Sequence, residues 1–263
     1  MWYPSAARLG SGCLLLSVWQ AALAVDAGPT PKDERWRGTG GVALAATSGN
    51  SETGSVLFNI DASRASEVDK IGLGGNYNYA RARLDGIRTT TANKGLAFGQ
   101  YDRDFAPQWF AFGRLALDKD ALVDLSLRSA VATGVGYRVI DTPQTTFTLQ
   151  AGVGYTTERY GSTQTIDGEV GSRFDRTTLF LAEESAHKYS ETVSFKQRLE
   201  ASPTIAGGRG VLVRFNANLA VALNSSLNLT VGVIDTYNSE PPEGAVRNDV
   251  SLFTGIDFRF GGP

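Results

Sequence analysis

His187 is the only histidine in the chain and so the natural place to look for acid–base chemistry. A Ser–His pair on an outer barrel wall would make a lipid hydrolase, the imidazole taking the serine proton. His187, however, falls at a turn beside Lys188, and no catalytic residue is expected. Asp118, Asp120 and Asp124 in "LDKDALVDL" supply the oxygen ligands that a hard divalent cation takes. They read more simply as a solvated charged loop, and neither a metal site nor a cofactor is expected. "GLGGN" and "AGGRG" lack the strand-to-helix setting and the following Lys-Ser/Thr of a phosphate loop. What remains is polarity at alternate positions: Asp61, Asn76, Asn78, Arg128, Arg138, Gln150, Lys196, Arg198, Glu200, Arg214, Asn216, Asn218, Asp257 and Arg259. Brought together, these would form a charged interior in which bases outnumber acids.

Elements of period two must position them. In "DLSLRSAVATGVGYRVI", Leu125, Leu127, Val131, Val135, Tyr137 and Val139 share one face, and Arg128, Gly134, Gly136 and Arg138 the other. "TFTLQAGVGYTTE", "VLVRFNANLAVAL" and "DVSLFTGIDFRF" repeat the pattern. Strands are expected at 36–47, 53–64, 69–81, 90–103, 108–118, 124–140, 144–159, 174–186, 190–202, 210–223, 227–238 and 248–260. That makes about twelve, or ten to fourteen if strands merge or split. "FAF" and "LFL" put apolar residues on both faces and blur the alternation.

Many runs exceed nine residues, enough to cross a bilayer at a tilt. The expected fold is therefore an all-β, transmembrane antiparallel up-and-down barrel spanning 36–263, rather than a soluble sandwich. In hydrocarbon every backbone polar group needs an internal partner, and closure removes the sheet edges. Residues 1–24 read as a cleaved signal peptide: Arg8, then "CLLLSVWQAAL", then a small-residue site at Ala22–Ala24. Residues 25–35 would be a short periplasmic segment. Cleavage would remove Cys13, the only cysteine.

If the first strand starts in the periplasm, the connections after odd-numbered strands lie outside and should be longer. They are 48–52, 82–89, 119–123, 160–173, 203–209 and 239–247, against inner turns of three or four residues. "SGNSE" is short for the outer side, and it reads as a tight hairpin. Tyr77, Tyr79, Tyr155 and Tyr237 fall at outer strand ends, and Trp109, Tyr137, Phe258 and Phe260 at inner ends. Together they would form two aromatic girdles.

"WRGTGGVALAATSGNSETGSVLFNIDASR", "YDRDFAPQWFAFGRLALDKD", "GVGYRVI", "LQAGVGY", "FKQRLE" and "DTYNSEPPEGAVRNDV" resemble, in order, segments of the DUF481 family, also called the salt-induced outer-membrane protein family. The resemblance covers roughly 36–260 and implies an integral outer-membrane barrel of Gram-negative bacteria, with no established biochemical activity. It also implies an osmotic or ionic envelope-stress role.

The partners expected are outer-membrane lipid and lipopolysaccharide, and the barrel-insertion machinery during biogenesis, for a monomeric protein. A net charge of -2 with no basic stripe argues against nucleic acid. Two readings of the lumen stay open. Opposite charges pair across it and plug it, as buried charges require, or it keeps a thin aqueous channel for small, mildly anionic solutes.

Overall fold

The structure is a computed structural model that describes residues 30–47, 52–84 and 87–261. The signal peptide and most of the "SGNSE" turn lie outside the described residues. Twelve strands follow in chain order: β1 Arg37–Thr47, β2 Glu52–Ala65, β3 Asp69–Leu84, β4 Ile87–Ala106, β5 Trp109–Asp120 and β6 Leu125–Asp141, then β7 Thr145–Ile166, β8 Glu169–Lys188, β9 Val193–Ala206, β10 Val211–Ala222, β11 Leu227–Asn238 and β12 Asn248–Phe260. Each pairs antiparallel with its neighbours in sequence, and β12 returns to β1 to close the barrel. Among the described residues no helix is long and apolar enough to cross a membrane, which says nothing of a barrel.

The alternation sorts the side chains as a transmembrane barrel needs. Leu44, Ile60, Val131, Val153, Val231 and Leu252 stand exposed on the outer wall. Asp61, Asn78, Glu158, Glu200, Asn218 and Asp257 are buried inside. An apolar exterior around a polar interior places lipid outside and any water within.

Two connections differ from the sequence reading. Strands β3 and β4 run on to Leu84 and from Ile87, where a loop over 82–89 was expected. Strands β7 and β8 continue through most of the expected loop 160–173 and turn at Asp167–Gly168. Both turn residues have positive φ, 53° and 79°, the pattern of a two-residue Asp-Gly hairpin. The extension is polar and lacks the apolar alternation that marks the membrane span.

A third difference is local. Leu125 does not share the outer face of Leu127: it is 3 % exposed, whereas Leu127 is 37 % exposed. A register shift between the two turns Leu125 inward. There it joins Tyr160, Ile166 and Phe174 in a small apolar cluster under the β7–β8 extension. A bulge inserts one residue and exchanges the faces beyond it, which alternation alone does not reveal.

The closing seam is shorter than the other ladders. All of β1 pairs with β2, but only Gly38–Val42 pair with Ile256–Phe260 of β12.

The lumen as candidate functional site

Strand β9 places Lys196, Arg198 and Glu200 on one face at intervals of two, so all three point into the barrel. Arg198 bonds Glu184 of β8 at 2.5 Å and Glu200 at 2.6 Å. Lys196 lies 3.5 Å from Glu184. Glu200 then reaches Arg114 of β5 at 3.0 Å, with both side chains only 9 % exposed. Arg114 in turn stacks over the Phe98 ring at 4.4 Å and donates to Gln100, which donates to Asp102. The network thus runs from β9 to β4 through the middle of the barrel.

A second tie joins Arg214 of β10 to Asp118 of β5 at 2.8 Å. A third joins Lys94 of β4 to Asp249 of β12. These strands lie four or five places apart around the wall, so the ties cross the lumen rather than run along it. Shorter links line the wall: Arg128 to Glu158 at 2.7 Å, and Arg138 to Asp104 at 2.7 Å.

Beside the seam, Asp257 of β12 accepts bonds from Thr230 of β11 and Asn59 of β2. The Asn59 bond passes over Gly41 of β1, where a Cβ would fall 2.0 Å from Asp257 Oδ1. Only a residue without a side chain lets the two strands beside β1 bond across it.

The space between the ties forms chambers. An inner cavity of about 110 Å3 and a middle one of about 120 Å3 share Lys70, Glu184 and Lys196 in their walls. The middle cavity and an outer one of about 230 Å3 share Asn76, Leu96, Arg214 and Asn216. The polar middle chamber is large enough to hold water. Passage between chambers meets a charged pair at each step.

The sequence-derived polar set falls as follows. Asp61, 7 % exposed, faces the middle chamber, and Asn76 and Asn216 line two chambers. Asn218 is buried and lines the middle chamber, and Asn78 and Gln150 are buried in the wall. Arg128, Arg138, Lys196, Arg198, Glu200 and Arg214 are ion-paired, and Asp257 is hydrogen-bonded. Arg259 bonds the Asn224 carbonyl at the inner turn. Alternation did not single out the interior acids Asp102, Asp104, Glu158 and Glu184 or the base Arg114, and Asp118, expected in a solvated loop, faces inward on β5 against Arg214. With them the interior acids match the bases and no excess of base remains.

Phe98, Phe110, Phe112, Phe180 and Phe253 also went unread as filling. Phe110, Phe112, Phe180 and Phe253 are buried, and Phe98 lines the middle chamber. Each pairs across the ladder with a glycine: Gly74, Gly136, Gly134, Gly152 and Gly232 respectively. The "FAF" and "LFL" runs therefore carry apolar residues on both faces because the inner face needs bulk.

Among the girdle residues, Trp109 stacks on Tyr137 with ring centroids 4.7 Å apart, and Tyr137 bonds Gln108. Tyr77 bonds Asn93. Tyr155, Tyr237 and Phe258 are exposed on the outer wall. Tyr79 and Phe260 are half-buried, Tyr79 beneath the Arg81 guanidinium.

The candidate chemical residues disperse. His187 Nδ1 lies 2.6 Å from the Thr145 hydroxyl and its ring rests on Tyr189. Asp118 pairs with Arg214, Asp120 accepts from the Leu122 amide, and Asp124 bonds Ser162.

No curated protein matches the chain. Among solved structures it is similar to the NanC porin, at 8 % identity and a TM-score of 0.45 over 87 % of this chain and 99 % of that one. The translocator domain of autotransporter NalP from Neisseria meningitidis is similar at 10 % and 0.45, over 86 % and 88 %. The KdgM porin in complex with disordered oligogalacturonate is similar at 11 % and 0.42, over 84 % and 98 %. These are likenesses of barrel to barrel, and no ligand or transport property passes from them to this chain. The family described as "Protein of unknown function, DUF481" matches residues 40–260, and the chain belongs to it.

Proposed function

We propose that the protein is an outer-membrane barrel of a Gram-negative bacterium whose lumen is tied shut, a structural component of the envelope rather than an enzyme or an open pore. The export signal read at 1–24, the apolar outer wall and the family support that location. The observation that carries the closed reading is the Arg114–Glu200 pair, which spans the lumen with both side chains almost fully buried. An envelope role under osmotic or ionic stress fits a barrel that adds wall without adding leakage.

One observation favours a second reading, a narrow channel for small anionic solutes. The three chambers run in series and share walls, so parted ion pairs would leave a hydrated path. A swelling assay separates the two. Proteoliposomes holding the unmodified barrel should swell in small sugars or salts no faster than empty ones. Rapid swelling with small anions would replace the structural reading with the channel.

A further inference from the structure

The lipid-facing surface is basic at its outer end and neutralised at its inner end. Arg83 and Arg88 are direct partners across β3 and β4, and Arg81 precedes them on the same outward face. Arg159 and Arg173 are direct partners across β7 and β8. All five are exposed. On β7 the buried Glu158 and Tyr160 flank Arg159, and on β3 the buried Ala80 and Ala82 flank Arg81, which fixes their outward direction.

Like charges placed directly opposite on one sheet face are destabilising unless something anionic lies between them. Arg173 has Asp175 at 2.9 Å. Among the described residues Arg81, Arg88 and Arg159 have no carboxylate partner. The outward arginines at the inner end do: Arg64 pairs with Glu34 at 2.8 Å and Arg103 with Asp69 at 3.2 Å.

Height fixes which part of the bilayer the outer arginines meet. Arg81 lies two and four residues beyond Tyr79 and Tyr77, and Arg159 four beyond Tyr155. Four residues of strand rise about 13 Å, or about 9 Å along the normal at a tilt near 45°. That step leads from the aromatic belt at the edge of the hydrocarbon into the phosphate layer of the headgroups.

We propose that the outward arginines form two binding patches, Arg81 with Arg88 on β3 and β4 and Arg159 on β7, for the phosphate groups of phosphorylated glycolipids in the outer leaflet, lipopolysaccharide being the form with that chemistry. Guanidinium forks match phosphate oxygens in bidentate fashion. A surface basic only at its outer end fits a bilayer whose outer leaflet alone carries this lipid. The inference rests on the outer-membrane location proposed above.

The test uses the full-length barrel in detergent and the variant Arg81→Gln, Arg88→Gln, Arg159→Gln. Each is titrated with lipopolysaccharide, with the same lipid after enzymatic dephosphorylation, and with inorganic phosphate. The unmodified barrel should bind the phosphorylated lipid on the order of tenfold or more tightly than the triple variant, each charged contact being worth about that much. Dephosphorylation should cause a similar loss, and inorganic phosphate should not compete at millimolar concentration. Equal binding of all three pairings overturns the proposal, and so does binding of inorganic phosphate alone. Unchanged heat-modifiable mobility on a gel shows that the variant is folded, and the single Arg88→Gln replaces it if it is not. Recovery of the protein in the inner-membrane fraction would sink the location while leaving the titration readable, so the two failures are distinguishable.

Discussion

Phe110 lies directly across the β5–β6 ladder from Gly136, and its ring occupies the space a side chain there would need. A Cβ at Gly136 would stand 2.1 Å from the Phe110 Cζ. Aromatic bulk fills the interior while the glycine opposite yields the room, so that a narrow barrel packs without a continuous apolar core.

Gly136→Ala should therefore destabilise the barrel by about 1–3 kcal/mol through overpacking. Shortening the ring as well, in Gly136→Ala with Phe110→Leu, should recover part of that loss. Denaturant unfolding of the two single variants and the double variant gives the coupling directly. Strict additivity would mean that the ring and the glycine do not share the space.

The buried charges make a second prediction. Glu200→Leu leaves Arg114 without its carboxylate in the middle of the lumen and should cost about 3–5 kcal/mol. Adding Arg114→Met removes the stranded cation, while Arg198 keeps Glu184. The double variant should then be more stable than Glu200→Leu alone. Unfolding midpoints in detergent decide it, and a double variant weaker than the single one would deny that the pair is isolated from water.

Hydrogen exchange should find the weakest ladder at the seam. Residues 43–47 of β1 pair with β2 but not with β12, so their free amides, and those of 251–255, lack cross-seam protection. They should exchange faster than β6 or β7 at equal depth. Uniform protection around the wall would show the seam fully zipped.

The outer loops carry a pH-sensitive latch. Asp167, at the β7–β8 turn, accepts bonds from the Arg209 amide and guanidinium. The side-chain bond from Arg209 holds the Asp167 carboxyl below the usual carboxylate range. Because the folded value is depressed, the latch contributes fully above the unfolded carboxyl pKa of about 4. It is lost as pH falls through the lower folded value. NMR signals of 203–210 should hold steady from neutral pH to about 5 and broaden only well below 4, and high salt should weaken the latch at every pH. Broadening between pH 5 and 7 would contradict it.

Strand number, order and most boundaries were legible because a bilayer imposes period two over long runs, as along Val131, Val135 and Val139. The β7–β8 extension was not, because outside the bilayer no apolar face is required; the Asp167-Gly168 dipeptide was the available signal. Polar residues such as Arg198 and Glu200 could be read from parity. Their partners could not, since Arg114 and Glu200 lie on strands four places apart and only the closed register brings them together. The inward Phe110 and Phe180 were hidden for a related reason: each is recognisable by the glycine across the ladder, and that pairing is a property of the fold.

Planar-bilayer recording of the purified barrel addresses most directly whether charged ties close the lumen. The unmodified protein should give no discrete current steps. The variant Arg114→Ala, Glu200→Ala, Asp118→Ala, Arg214→Ala should open a steady conductance. Regular steps from the unmodified barrel, unchanged in the variant, would contradict the account.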